Sequence, residues 1–237
     1  MPTPSDVSWA DVLWIDTGSV NVYLCRDGDG FTLIDSAMPG KADLIFERLA
    51  EWGGTPSDLK RIIITHADMD HAGSAAAIQA RSGATVYAGA ATAALLAEGR
   101  SPRHMPPPVQ FILDHFVRYK AIERAALWPL ADGDELPVLG GLRVLAAPGH
   151  TTEQHALYSP AAGVLFAADA LNTRDGRLQL TPRRITADQA AAERTAARLL
   201  ELSPAVIACG HGAPLVDNRA AIADLLARLA GSTGRER

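Results

Sequence analysis

Cysteine is nearly absent from this chain of 237 residues, and the two present, Cys25 and Cys209, form no close-spaced pair. No disulfide framework is implied, and Cys25, inside a strand-like run, is expected as a buried free thiol. A basic excess is missing too. The net charge is −5 and the pI about 5.8, which leaves no cationic footprint for nucleic acid or an anionic membrane. No stretch approaches the roughly twenty apolar residues of a membrane span. Met1-Pro2-Thr3-Pro4-Ser5-Asp6 lacks the basic start and apolar run of a signal peptide. The expectation is a cytoplasmic protein with a small-molecule substrate and neither nucleic acid nor membrane as partner; the oligomeric state stays open. No internal repeat and no linker divides the chain, which is long enough for one large domain with a sizeable core.

What is present is an alternation of strand-like and helical runs. Val12-Leu13-Trp14-Ile15, Val20 to Cys25 and Phe31 to Asp35 read as strands, the last two joined across Asp27-Gly28-Asp29-Gly30, a hairpin signal. Ala42, Ile45, Leu49 and Trp52 recur at helical spacing up to Gly53-Gly54. Arg61 to Thr65 is a β-branched strand, followed by an alanine-rich helix from Ala72 to about Gly83, a strand over 84–88 and a short helix over 90–97. Arg100-Ser101-Pro102-Arg103-His104-Met105-Pro106-Pro107-Pro108 can sustain neither helix nor strand. A helix is expected from Val109 to Leu127, and the interruption over 100–128 is a candidate lid. Strands follow at 142–147, 155–158, 164–168 and 205–208. A capping box at Thr186-Ala187-Asp188-Gln189 opens a helix to about Leu202. Ile222, Leu225, Leu226 and Leu229 mark a closing helix that stops at Gly231, with a frayed tail from Ser232.

Between the strand ending at Thr65 and the next helix stand His66, Asp68, Asp70 and His71. In extended backbone His66 and Asp68 point to one side, while Asp70 and His71 fall where the helix begins, so two pairs can face one spot. Alone, Asp70 reads as a helix N-cap and His71 as a solvated first-turn residue. Neither reading explains His66 and Asp68 just ahead of them, because crowded imidazoles and carboxylates gain little unless a cation neutralises them. Three later strands also end in ligand-type residues: His150 in Pro148-Gly149-His150-Thr151, Asp169 after Ala168, and His211 in Cys209-Gly210-His211-Gly212. Strand mouths are where a rigid sheet positions a site, and glycines beside His211 suit close backbone approach. Asp35 ends the third strand and by itself reads as a turn residue.

These motifs in this order resemble the signature of the metallo-β-lactamase-fold hydrolases. Asn21 to Tyr23 and Leu33-Ile34-Asp35 resemble that family's opening strands, so the resemblance runs over about residues 15–230. It implies an α/β fold, an αββα sandwich of two mixed β-sheets flanked by helices, as one domain over 1–237 with a dinuclear site at one edge. Carried over by position, it implies two divalent metal ions (Zn, Mn or Fe): His66, Asp68 and His150 on the first, Asp70, His71 and His211 on the second, Asp169 bridging, and Asp35 orienting a ligand histidine. One position departs from the usual His-x-His-x-Asp-His pattern, since Asp68 stands at the second histidine. With a bridging hydroxide, Asp68, Asp70 and Asp169 would then make the core formally neutral. That should acidify its water less and favour manganese or iron relative to zinc.

The implied reaction is hydrolysis, in which a metal-bound hydroxide attacks a small ester, lactone or thioester and Asp70, as catalytic residue, orients it and relays its proton. The alternatives are a phosphodiesterase, a di-iron oxidoreductase of flavodiiron type, which also carries a carboxylate at the position of Asp68, and a non-catalytic metal-binding module. True β-lactamases are disfavoured by the missing signal peptide, and the glyoxalase II reading by the short chain after His211. The family's nucleases are disfavoured by the acidic charge. His104, His115 and Tyr119 are possible substrate-pocket residues. Arg174, Arg177, Arg183 and Arg184 could meet an anionic substrate, although a solvated basic loop suits them equally.

Overall fold

In strands β3 (Asn21–Asp27) and β5 (Leu59–Ile64), neighbouring side chains enter different cores. Val22, Leu24, Ile62 and Ile64 pack in one, and Tyr23, Cys25 and Ile63 in another. Successive side chains of a strand point to opposite faces, so a sheet covered on both sides needs apolar residues at nearly every position. This is why these strands read as unbroken apolar runs. The computed structural model describes residues 8–9 and 11–233.

One sheet joins β1 (Ser8–Trp9), β2 (Val12–Asp16), β3, β4 (Gly30–Ile34), β5, β6 (Thr85–Gly89) and β7 (Leu127–Leu130) in chain order. Its first four strands are antiparallel and β4 to β7 parallel. The expected hairpin closes with Asp27 opposite Gly30. The second sheet has the order β13 (Leu215–Val216), β12 (Val206–Cys209), β11 (Val164–Ala168), β10 (His155–Ser159), β9 (Leu142–Ala146), β8 (Glu135–Leu136), and only β11 and β12 run parallel. Trp14, Tyr23, Ile34 and Ile63 meet Val144, Leu157, Phe166 and Ala208 between the sheets. On the outer face of the first sheet lie α1 (Ala42–Glu51), α3 (Ala75–Ser82) and α4 (Ala90–Glu98); on that of the second lie α6 (Gln189–Glu201) and α7 (Arg219–Thr233). The result is an αββα sandwich. Cys25 and Cys209 are both buried and free, and burial pushes both thiols up. Among the described residues no helix is long and apolar enough to cross a membrane.

Five local expectations need correction. The helix expected from Val109 to Leu127 is α5 (Pro107–Phe116), and its last residues belong to β7. Prolines fit a first helical turn, whose amides have no intrahelical acceptor, so Pro107 and Pro108 begin this helix instead of preventing it. The helix expected from Ala72 is two pieces, α2 (Met69–Ala72) and α3. Asp68 rather than Asp70 occupies the cap position of α2, and its side chain makes no capping bond. At α6 the cap is Asp188, which accepts from Ala191 N at 2.9 Å, while Thr186 Oγ1 donates back to Thr181 O and Pro182 O. The closing helix, expected to stop at Gly231 before a frayed tail from Ser232, runs on to Thr233, and the rest of that tail, like Met1 to Asp6, lies outside the described residues.

Candidate metal centre

Asp35 follows β4 at φ +60°, a left-handed conformation that non-glycine residues seldom adopt. That turn aims its carboxylate at the loop after β5. Thr65 N and Thr65 Oγ1 donate to Oδ1 at 2.9 and 3.0 Å, and His71 Nδ1 meets Oδ2 at 2.8 Å. A neutral His71 that donates through Nδ1 keeps a lone pair on Nε2. Thr65 has one hydroxyl proton, and this proton goes to Asp35. In the contact of Thr65 Oγ1 with His66 Nδ1 at 3.1 Å the imidazole then donates, and a neutral His66 in that tautomer keeps a lone pair on Nε2 as well.

Asp169 is set by another strained residue, Ala168 at φ +46°, where β11 shifts register against β12. Thr181 Oγ1 donates to its backbone oxygen at 2.6 Å. The His211 loop is held by β3: Asn21 Nδ2 donates to Cys209 O and Gly212 O at 3.0 and 2.6 Å, and Tyr23 OH to Cys209 O at 2.6 Å. A Cβ on Gly210 would lie 2.7 Å from His71 Cε1 and run into the Asp169 carboxylate, so only glycine fits here.

The ligand-type residues thus gather into overlapping groups: His66, Asp68 and His150; Asp70, His71 and His211; and His66, His71 and Asp169. Within each group the donor atoms all lie within 4.8 Å of one another. Asp68 Oδ2 is 3.5 Å from His66 Nε2 and 3.1 Å from His150 Nε2. Asp169 Oδ2 stands between the groups, 3.3 Å from His211 Nε2 and 3.7 Å from His150 Nε2, and Asp70 Oδ2 is 3.5 Å from His211 Nε2. Burial would raise the pKa of Asp68, but contacts with His104, His150 and His66 hold it well below the usual carboxylate range. Asp169 is lowered against burial by His71 and His211. Burial lowers the His71 imidazole, and Asp169, Asp35 and Asp70 together lift it well above its ordinary value.

These residues fit bound cations. His66 Nε2, His71 Nε2 and Asp169 Oδ1 are buried without a well-formed hydrogen bond, although His71 Nε2 lies 3.3 Å from Asp169 Oδ1, and a buried orphan costs about 1–3 kcal/mol. Buried carboxylates this close to imidazoles call for positive charge between them; the raised His71 marks that demand, and a bound cation can meet it in place of a proton.

A cavity of about 730 Å³ opens over the group, lined among others by Met38, Asp68, Met69, Asp70, Met105, Leu113, Arg174 and His211. Of the four arginines only Arg174 lines it, with Nη2 at 2.7 Å from His211 Nδ1; Arg177, Arg183 and Arg184 are exposed. Of the three possible pocket residues none lines this cavity. The His115 ring is exposed and folds back on its own helix, Nδ1 against Phe111 O at 2.8 Å, because α5 turns Phe111, Ile112 and Phe116 to solvent. Tyr119 is buried and braces two loops, donating to Ala67 O at 3.1 Å and Arg100 O at 2.8 Å. The His104 side chain is fully buried, 3.2 Å from Asp68 Oδ2. Sequence reasoning missed the bracing roles of Thr65, Asn21, Tyr23 and Thr181, since threonines and asparagines inside strands and loops carry no spacing signal.

Residues 15–211 match the sequence profile of the metallo-beta-lactamase superfamily. The probable metallo-hydrolase YflN of Bacillus subtilis (strain 168) is 26% identical over 226 residues, covering 82% of this chain and 81% of its own length. The hydroxyacylglutathione hydrolase of Rhodobacter capsulatus is 35% identical over 114 residues, 48% of this chain and 34% of that protein. A solved B3 metallo-beta-lactamase with an active-site glutamic acid superposes with a TM-score of 0.73 at 23% identity, over 100% of this chain and 92% of the other, a likeness of fold.

Proposed function

Since the chain belongs to the metallo-beta-lactamase superfamily, we propose that this metal-dependent hydrolase holds two divalent ions and cleaves a small ester, lactone or thioester. His66, Asp68 and His150 would hold the first ion, Asp70, His71 and His211 the second, with Asp169 shared. When bound, such ions polarise an acyl oxygen and lower the pKa of water. The overlap of the three His/Asp groups beneath the cavity carries this reading.

The chain's own residues divide the remaining work. Asp70 is 31% exposed at its side chain, against 11% for Asp68 and 5% for Asp169. It is the most exposed of the three and lines the cavity, placed to orient a water and take its proton. Met38, Met69, Met105 and Leu113 offer apolar surface to an acyl chain. Outside the proposed metal ligands the charged side chains lining the cavity are Asp16 and Arg174, one of each sign, so its wall offers no excess of cations to a phosphodiester.

The test is a panel of esters, lactones, thioesters and phosphodiesters with metal-loaded protein. Acyl substrates should be turned over, and Asp70→Ala should lower kcat/KM about 10²–10⁴-fold, the usual contribution of a positioned acid or base, with the fold intact by circular dichroism. Turnover confined to phosphodiesters would refute the acyl assignment.

A further inference from the structure

Three imidazole nitrogens converge on one carboxylate oxygen. Asp68 Oδ2 has His150 Nε2 at 3.1 Å, His104 Nε2 at 3.2 Å and His66 Nε2 at 3.5 Å. One carboxylate oxygen offers about two lone pairs, so hydrogen bonds alone do not account for three imidazole nitrogens gathered around it. A cation shared by the four atoms does. We propose that His104 is a ligand of the first metal ion, completing a set with His66, Asp68 and His150; this rests on the dinuclear reading above.

The placement of His104 is built rather than incidental. Its side chain is fully buried, and both ring nitrogens lack a hydrogen-bond partner. Its ring packs edge-on to His150 with centroids 4.6 Å apart. The backbone on either side is pinned: Gln110 Oε1 accepts from His104 N and Met105 N, both at 3.1 Å, and Arg103 pairs with Asp114 at 2.8 Å. Gln110 and Asp114 lie on α5, and Gln110 Nε2 also donates to Asp114 Oδ1 at 2.9 Å. Tyr119 ties Arg100 O to Ala67 O, clamping the segment against the loop that carries His66 and Asp68. A histidine that contacts substrate would open to the cavity, whereas His104 faces Asp68 behind it.

The chemistry gives the residue a purpose. Asp68 removes an imidazole from the usual ligand pattern, and His104 returns one from 36 positions further along the chain. Three nitrogens and one oxygen beside the shared Asp169 would suit zinc better than the two nitrogens and harder oxygens left without His104, which would lean toward manganese or iron.

The experiment compares wild type, His104→Gln, Asp68→His and the double variant after loading with cobalt(II). Bound metal is read by mass spectrometry after dialysis, and hyperfine-shifted imidazole N–H resonances by proton NMR. Wild type should hold about two ions per chain, as a dinuclear site requires. His104→Gln should lose one shifted N–H resonance, and first-ion affinity should fall by more than the roughly 10–100-fold typical of losing an outer hydrogen-bond partner. The double variant should regain the first ion, because a histidine at position 68 makes His104 dispensable. Equal unfolding midpoints of the metal-free wild type and His104→Gln would show that the loss is not one of folding. If wild type holds two ions and His104→Gln matches it in resonances and metal content, the His104 assignment is wrong and the dinuclear reading stands. If wild type itself does not take up two ions, both fail.

Discussion

Asp35 serves Thr65 and His71 with a single carboxylate, and each contact is buried. Removing it frees the His71 ring to rotate and removes the partner that fixes its tautomer. Asp35→Ala should therefore weaken binding of the second ion about 10–100-fold, read by competition with a chromophoric chelator; unchanged affinity would mean that the carboxylate serves only the turn. At position 68 two effects oppose each other: the aspartate hardens the ligand set, and His104 softens it. With both present, zinc should outcompete manganese during reconstitution, and His104→Gln should shift loading toward manganese or iron. A preference indifferent to His104 would show that its ring stays off the metal. His66, Asp68, Asp70 and His71 were legible in the sequence because they crowd into one loop. His104 was not, because its relation to Asp68 exists only once the chain folds back through Gln110 and Tyr119.

The segment between β6 and β7 shows how an element can be mistaken. Apolar residues at helical spacing continue past Phe116, yet Val117 leaves the helix in an extended conformation, and after a 3-10 turn at Arg124–Ala126 the residues Leu127, Trp128, Pro129 and Leu130 pair with β6. Short apolar runs do not separate helix from strand, and Pro129 is tolerated because β7 is the last strand of its sheet. Long β-branched runs such as Arg61 to Ile64 were unambiguous, whereas the two-residue strands β8 and β13 are too short to leave a pattern. Tyr119 joins this segment to the metal loop. Tyr119→Phe leaves the Ala67 and Arg100 carbonyls without their phenol donor and should cost about 1–3 kcal/mol, measured as a shift in the urea unfolding midpoint. No shift would mean that water replaces the hydroxyl without loss.

At the scale of the molecule, the residues of the centre come from loops on both sheets, and packing of the sheets brings them together. Phe166 lies between the sheets with its ring 5.3 Å from that of Tyr23, whose hydroxyl holds Cys209 beside the His211 loop. Phe166→Ala should cost about 3–5 kcal/mol in chemical unfolding and weaken metal binding at the same time; loss of stability with full metal affinity would show that the loops hold the centre without the sheets. The layer order follows from apolar faces visible in the sequence, but which strands share a sheet does not, since both sheets bury both faces. The dinuclear reading itself is most directly tested by metal content after purification without added metal, by mass spectrometry, together with the visible spectrum. About two zinc or manganese ions per chain and no reducible band is the expected result for a hydrolase of this kind. Two irons with a band that bleaches on reduction would instead make the protein an oxidoreductase, and a chain that takes up no metal would contradict the assignment of His66, Asp68, Asp70, His71, His150, Asp169 and His211 altogether.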